Sequence, residues 1–285
     1  MCYNSQMEDK IKVGIIRGGT GGHYTSSLKK GGDVISHIFE NLSDKYKTID
    51  ILIDKEGVWH MNGTPVSPAD LIHKVDIVWN LSQHPEISLI LDSLSVPKID
   101  SGSFLRGLEN NKEMLQVYVK NIGVKMPKSV ISPKNAREVF EKFPSPWIVK
   151  INNEIRLAKT FNELAEMIKD REDVIVEEFI EGRVSSVYSI NGFRDEDIYV
   201  LPPQNFGASE KEKIVNLAKN LHKHLGAKHY LKSDFVLHPR MGLFLISIEL
   251  SPDLRAESHF EKSCKSIGAE MHHVIEHIFK KALKD

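Results

Sequence analysis

Residues 145–182 read SPWIVKINNEIRLAKTFNELAEMIKDREDVIVEEFIEG. Two short apolar runs, "PWIVK" and "VIVEEFIEG", have the length and β-branched content of strands, and they flank one amphipathic segment. That segment, "TFNELAEMIKD", opens with Thr160 and Glu163 three residues apart. This is the pattern in which a hydroxyl and a carboxylate cap the first turn of a helix. The stretch therefore reads strand–helix–strand. It carries charge on the strands, Lys150 on the first and Glu177 and Glu178 on the second, and no glycine lies between Lys150 and Gly182.

Working outward, the N-terminal side alternates in the same way. "KIKVGIIRGG" predicts a buried strand ending in a glycine turn, and "GDVISHIFENLSDKY" spaces Val34, Ile35, Ile38, Phe39 and Leu42 as a helix does. "YKTIDILID" and "VDIVWNLS" are two further strands, "EISLILDSL" a short helix and "VPKIDSG" a last strand and turn. Strands alternating with helices imply a parallel α/β domain, assigned to residues 1–108. "NKEMLQVYVKNIG" is then an amphipathic helix and "KSVIS" a strand, which with the opening stretch make a second region, 109–182. The third, 183–285, holds the paired strands "SSVYSING" and "DIYVLPP", the helix "KEKIVNLAKNLHKHLG" capped by Gly226, a hairpin of "YLKSDFVLH" and "LFLISIELS", and one closing helix from about Lys262 to Leu283.

The 285 residues are 41% hydrophobic and 27% charged, with net charge −1. That balance gives no electrostatic footprint for nucleic acid or an acidic membrane. No apolar run reaches the length of a membrane span, and the polar start "MCYNSQMEDK" is not a signal peptide. Cys2 and Cys264, the only cysteines, make neither a disulfide framework nor a cysteine-rich zinc site. A cytoplasmic protein is expected.

Taken in order, "PWIVK", "VIVEEFIEG" and "LKSDF…FLISIELSP" resemble the ATP-grasp superfamily, and with "KIKVGIIRGGT", "IDILIDKEGVW" and "VPKIDSGSFLRGLENNKEML" the resemblance to D-alanine–D-alanine ligases covers nearly the whole chain. It implies a parallel α/β domain followed by an ATP-grasp fold of two α+β subdomains. The implied reaction is ATP- and Mg²⁺-dependent joining of a carboxylate to an amine through an acyl phosphate, in the supply of a peptidoglycan precursor. Lys112 and Lys150 match lysines that reach the ATP phosphates, and Glu177, Glu178, Phe179 and Ile180 match the hinge holding adenine. Asp234 and Glu249 match magnesium ligands; carboxylates on neighbouring strands suit a hard cation. Lys232 stands for an arginine that stabilises the transferring phosphate, keeping the charge without the planar fork. His23 and Ser258 fall at substrate-binding positions. An amino acid is the expected small-molecule partner, and a homodimer is a further expectation.

The sequence also departs from that pattern. The segment after Lys150, "INNEIRLAKTFNEL", lacks the glycines of a phosphate-cradling loop. "QNFGASE" leads directly into a helix where a long covering loop is expected. Val184 occupies the place of a ribose-binding acid, Ser251 that of a metal-binding asparagine, and Asp253 that of a glycine. "NLSQHPEIS" replaces the family's "HG" and "EDG" elements. These departures support an alternative, a catalytically impaired relative that binds a nucleotide, a peptide or a protein.

Two motifs point elsewhere and are set aside. The turn "RGGTGGHYTSS" is not a dinucleotide fingerprint, since Asp44, the acid at the right distance, lies in or just after a helix. His273–His277, "HVIEH", spells an inverted zinc-peptidase motif, but a third ligand would have to come from the eight residues that follow, and Asp285 is the only acid there. The simpler reading puts these histidines on the polar side of the closing helix.

Overall fold

A computed structural model describes residues 10–151 and 154–284. In chain order the elements are β1 (Ile11–Gly18), α1 (Tyr24–Leu42), β2 (Tyr46–Ile53), β3 (Trp59–Met61), β4 (Thr64–Val66), β5 (Ile77–Asn80), α2 (Pro85–Ser93), β6 (Lys98–Ile99), α3 (Gly102–Asn110) and α4 (Lys112–Lys120). They continue with β7 (Ser129–Ile131), α5 (Ala136–Lys142), β8 (Trp147–Ile151), β9 (Glu154–Ala158), α6 (Phe161–Ile168), β10 (Val174–Glu178), β11 (Arg183–Asn191) and β12 (Ile198–Leu201). The last are α7 (Ala208–Leu225), β13 (Tyr230–His238), β14 (Gly242–Glu249), α8 (His259–Lys265) and α9 (Met271–Ala282).

The chain separates into two compact units. The first comprises Met1–Asn111, Ser186–Lys232 and Ile248–Asp285, and the second Lys112–Ser185 and Ser233–Ser247. The first unit is built on a six-stranded sheet of order β4-β3-β2-β1-β5-β6. Its centre is parallel, as expected, with β1 between β2 and β5. An antiparallel hairpin, β3–β4, extends one edge through Asn62 and Gly63. One face of the sheet packs Val13, Ile15 and Trp79 with Val34 and Ile38 of α1 and with Ile275 and Phe279 of α9. The Phe279 ring stands edge-on to Trp79 at 5.6 Å. The opposite face buries Ile51, Trp59, Leu71, Val78 and Leu91.

In the turn after β1, the ring of His84 fills the space over two glycines. A Cβ on Gly19 or on Gly21 would lie 2.6 or 2.7 Å from it. Here the glycines serve close packing.

The second unit carries an antiparallel sheet of order β7-β10-β8-β9. Strand periodicity divides its side chains cleanly. Trp147, Val149, Val174, Val176 and Ala158 face inward, packed with Val139 of α5 and Leu164 of α6. Register places Ile148, Lys150, Ile155, Leu157, Ile175 and Glu177 on the other face. Ile155 and Leu157 are exposed there. Helix α6 begins as read from the sequence, with the Thr160 hydroxyl accepting from the Glu163 N–H. The segment after Lys150, which lacks the glycines of a phosphate-cradling loop, continues into strand β9, which returns antiparallel to β8. A third sheet has the order β12-β11-β13-β14. The hairpin β11–β12 forms as expected.

The single closing helix is corrected. Two helices, α8 and α9, occupy that stretch, separated at Gly268, whose φ of 69° lies in the left-handed region. Apolar periodicity runs across the break, but the backbone there turns in a way that suits only glycine. Helix α1 also begins ten residues or so earlier than its apolar pattern, because "SSLKKGG" contributes a polar first half.

Candidate functional site

In the second unit, three charged residues from distant parts of the sequence meet. Glu177, on β10, is 4% exposed. Its Oε2 lies 2.6 Å from Lys112 Nζ, at the start of α4, and its Oε1 lies 2.7 Å from Lys150 Nζ, on β8. One buried carboxylate thus serves two ammonium groups, and the cluster keeps an excess of one positive charge. Burial pushes the Lys112 ammonium down, against the pull of Glu177. The Lys150 side chain, 30% exposed, stands on the outer sheet face beside the exposed Ile155. An apolar face bearing an uncompensated cation suits a ligand with a flat apolar part and an anionic part.

Around this cluster, the Glu178 carboxylate accepts from the Lys128 backbone N–H. Phe179 is half-exposed, its N–H donating to the Pro146 carbonyl. Ile180 is buried with Val236 and Phe244. Asp234 accepts a hydrogen bond from the Ser247 hydroxyl at 2.9 Å. Glu177, expected in the hinge that holds adenine, has its side chain at the centre of the lysine cluster.

In the first unit, Glu249 is also shared between two lysines. Lys232 Nζ lies 2.8 Å from Oε1 and Lys30 Nζ 3.4 Å from Oε2. Both sit in the wall of a cavity of about 380 Å³. Arg255, in the same wall, makes a two-pronged pair with Asp253, at 2.8 and 2.6 Å. That pair holds the Asp253 carboxyl down and the Arg255 guanidinium up. Ser258 is the buried N-cap of α8, accepting from the Glu261 N–H. His23 is the exposed N-cap of α1 and makes no side-chain cap bond.

Sequence reasoning missed Lys30, which reaches Glu249 from α1, and the Asp33 carboxylate one turn along the same helix. The only available signal was their helical spacing, because contact with residues 232–255 is long-range. Of the histidines in HVIEH, His273 is exposed, while His277 is half-buried, its Nε2 bonded to the Asn191 carbonyl and its ring edge-on to Phe193. Among the described residues no three His, Cys, Asp or Glu side chains gather as a metal site. Val184 is exposed, and Ser251 is buried with an unbonded hydroxyl.

The fit to the two expected cofactors differs. The lysine cluster on Glu177 suits the phosphates of ATP. Glu249 does not suit Mg²⁺, since each of its oxygens already faces an ammonium group.

No protein-family model matches the chain. It is similar along its length to D-alanine–D-alanine ligase B of Clostridium perfringens, at 23% identity, covering 96% of this chain and 98% of the relative. It is also similar to the vancomycin/teicoplanin A-type resistance protein VanA of Enterococcus faecium, at 19% identity and 97% and 99% coverage. Among solved structures, D-alanyl-alanine synthetase A from Vibrio cholerae superposes with a TM-score of 0.77 at 14% identity, covering 98% of this chain and all of that one. The D-Ala:D-Ser ligase VanG from Enterococcus faecalis gives 0.74 at 18%, with 96% and 100% coverage. The chain therefore has the ATP-grasp fold and resembles D-alanine–D-alanine ligases.

Proposed function

We propose that this protein is an ATP-dependent carboxylate–amine ligase of the D-alanine–D-alanine ligase type. The observation that carries the reading is the net-positive Lys112–Glu177–Lys150 cluster on an otherwise apolar sheet face. In this reading Lys150 and Lys112 hold the phosphates, with Glu177 fixing both ammonium groups in place. The backbone beside Glu178, with Phe179 and Ile180, frames the base. Lys232 neutralises charge on the transferring group, and His23 and Ser258 lie toward the amino acid. Bound ATP supplies the phosphoryl group that turns a carboxylate oxygen into a leaving group. No step is assigned to a metal at Glu249, whose oxygens are taken, nor through it to Asp234. A cytoplasmic location and a homodimer fit this reading.

A second reading, a non-catalytic nucleotide-, peptide- or protein-binding relative, is favoured by strand β9 standing where a glycine loop would close on phosphates. Calorimetry separates them. ATP should bind with and without Mg²⁺, and Lys150→Ala should weaken it by about tenfold or more, as expected for loss of a charge-assisted contact. Phosphate release dependent on an amino acid then supports the ligase. Binding without any turnover supports the second reading, and no ATP binding refutes both nucleotide readings.

A further inference from the structure

The first unit buries a guanidinium that has no part in the ligase reading. Arg106, on α3, is 1% exposed. Its Nη1 donates to Glu109 Oε2 at 3.0 Å and its Nη2 to the Asn80 carbonyl at 2.9 Å, while Asp100 Oδ1 lies 3.7 Å from its Nε. The Glu109 and Asp100 side chains are buried as well. An apolar cluster of the same volume is often as stable as a buried ionic one, so stability alone does not account for these charges. What a planar fork adds is direction, because it fixes two acceptors at once.

Each acceptor leads to a different wall of the cavity already described. On one side, Glu109 uses its second oxygen, Oε1, to accept from the Leu250 N–H at 2.9 Å. That N–H belongs to the peptide joining Leu250 to Glu249, which lines the cavity. On the other side, Asn80 ends β5. The next carbonyl, that of Leu81, accepts from the Ser27 hydroxyl at 3.1 Å, and the same hydroxyl accepts from the Gly18 N–H at 2.9 Å. Ser27 is fully buried on α1, between the glycine turn and the cavity-lining Ser26 and Lys29. Asn80 stiffens this arm, its side chain accepting from the Ser82 N–H and donating to Asp100.

We propose that Arg106 is a positioning residue that sets the two walls of this cavity against each other. One arm acts through Glu109 on the Glu249–Leu250 peptide, and the other through residues 80–82 on the start of α1. Lysine cannot replace it, since a single ammonium lacks the fork that reaches both acceptors. The inference goes beyond the ligase reading and rests on it only in taking the cavity as the place where the amino acid is held.

The test is hydrogen exchange on the full chain, read by mass spectrometry in segments 24–33 and 248–255, with 174–178 of the second unit as control. Arg106→Lys should speed exchange in both walls by about tenfold and leave the control unchanged. Glu109→Gln, whose amide offers one acceptor atom where the carboxylate offers two, should speed it at 248–255 alone. Faster exchange everywhere, in one wall only with Arg106→Lys, or in neither wall overturns the proposal. Thermal melts establish that the variants fold. Where Arg106→Lys does not, Glu109→Gln decides, and no change at 248–255 overturns the proposal. Steady-state kinetics supply a readout that a merely structural residue would not move. Arg106→Lys should raise KM for D-alanine by about tenfold and leave KM for ATP as it was. Unchanged constants in an active enzyme overturn the proposal. Absence of turnover in the unaltered chain defeats the ligase reading alone, and hydrogen exchange then decides this inference.

Discussion

Two glutamates in this molecule each hold a pair of lysines, and they differ in almost everything else. Glu177 lies in the middle of a sheet, with a side chain 5% exposed. Glu249 ends a strand at a cavity wall, with a side chain 35% exposed. Coulomb attraction is stronger where water is scarce, and so is the cost of leaving a charge unpaired. The buried cluster is therefore a fixed part of its unit, arranged before any ligand arrives. The cavity cluster is a surface whose partners a ligand can share.

Breaking the buried member gives the largest effect. Glu177→Gln leaves Lys112 buried without its counter-charge, and should cost about 3 kcal/mol in chemical denaturation. Replacing the two most buried members, Glu177→Leu with Lys112→Met, and leaving the more exposed Lys150 to solvent, should recover about half of that loss or more, because an apolar pair has no desolvation penalty. If the double variant is no better than Glu177→Gln, the cost lies in packing, and the electrostatic contrast with Glu249 is lost.

A pH series sharpens the same point. Lys112 has a folded-state pKa below its ordinary 10.5, so the unfolded chain binds its proton more tightly in that window. Its contribution to stability should rise with pH through the folded pKa and level off near 10.5. Lys112→Met should abolish that slope. At the small end, Glu249→Gln should cost less than about 1 kcal/mol, and added salt should shrink even that. A loss as large as that of Glu177→Gln would erase the distinction between the clusters.

How far these sites can be read from sequence follows from the range of their contacts. Strands β1, β2, β5, β8 and β10 and the caps at Thr160 and Gly226 are local patterns, and each is legible as written. Lys150 and Glu177 could be put on neighbouring strands by the same reading. That they share one carboxylate with Lys112 is a matter of tertiary placement. Glu249 was read as a metal ligand from the resemblance and from its place on a strand beside that of Asp234. In the structure its oxygens face two lysines, one of them 219 residues away, a contact that no local pattern announces. β9 escaped notice because its two large apolar residues, Ile155 and Leu157, face outward and only the small Ala158 faces the core, so its pattern resembles an exposed polar stretch. The break at Gly268 was hidden by apolar spacing that continues on both sides of it.

The ring of His84 lying over the glycine turn links two positions far apart in the chain. With φ of +118°, Gly19 is confined to glycine by its own backbone, but Gly21 is confined only by that ring. Position 21 is therefore negotiable, on terms set at position 84. Alanine at 21 should be poorly tolerated beside histidine and accepted once His84 is trimmed to alanine. Along a lineage, the two sites would change as a pair or remain as they are.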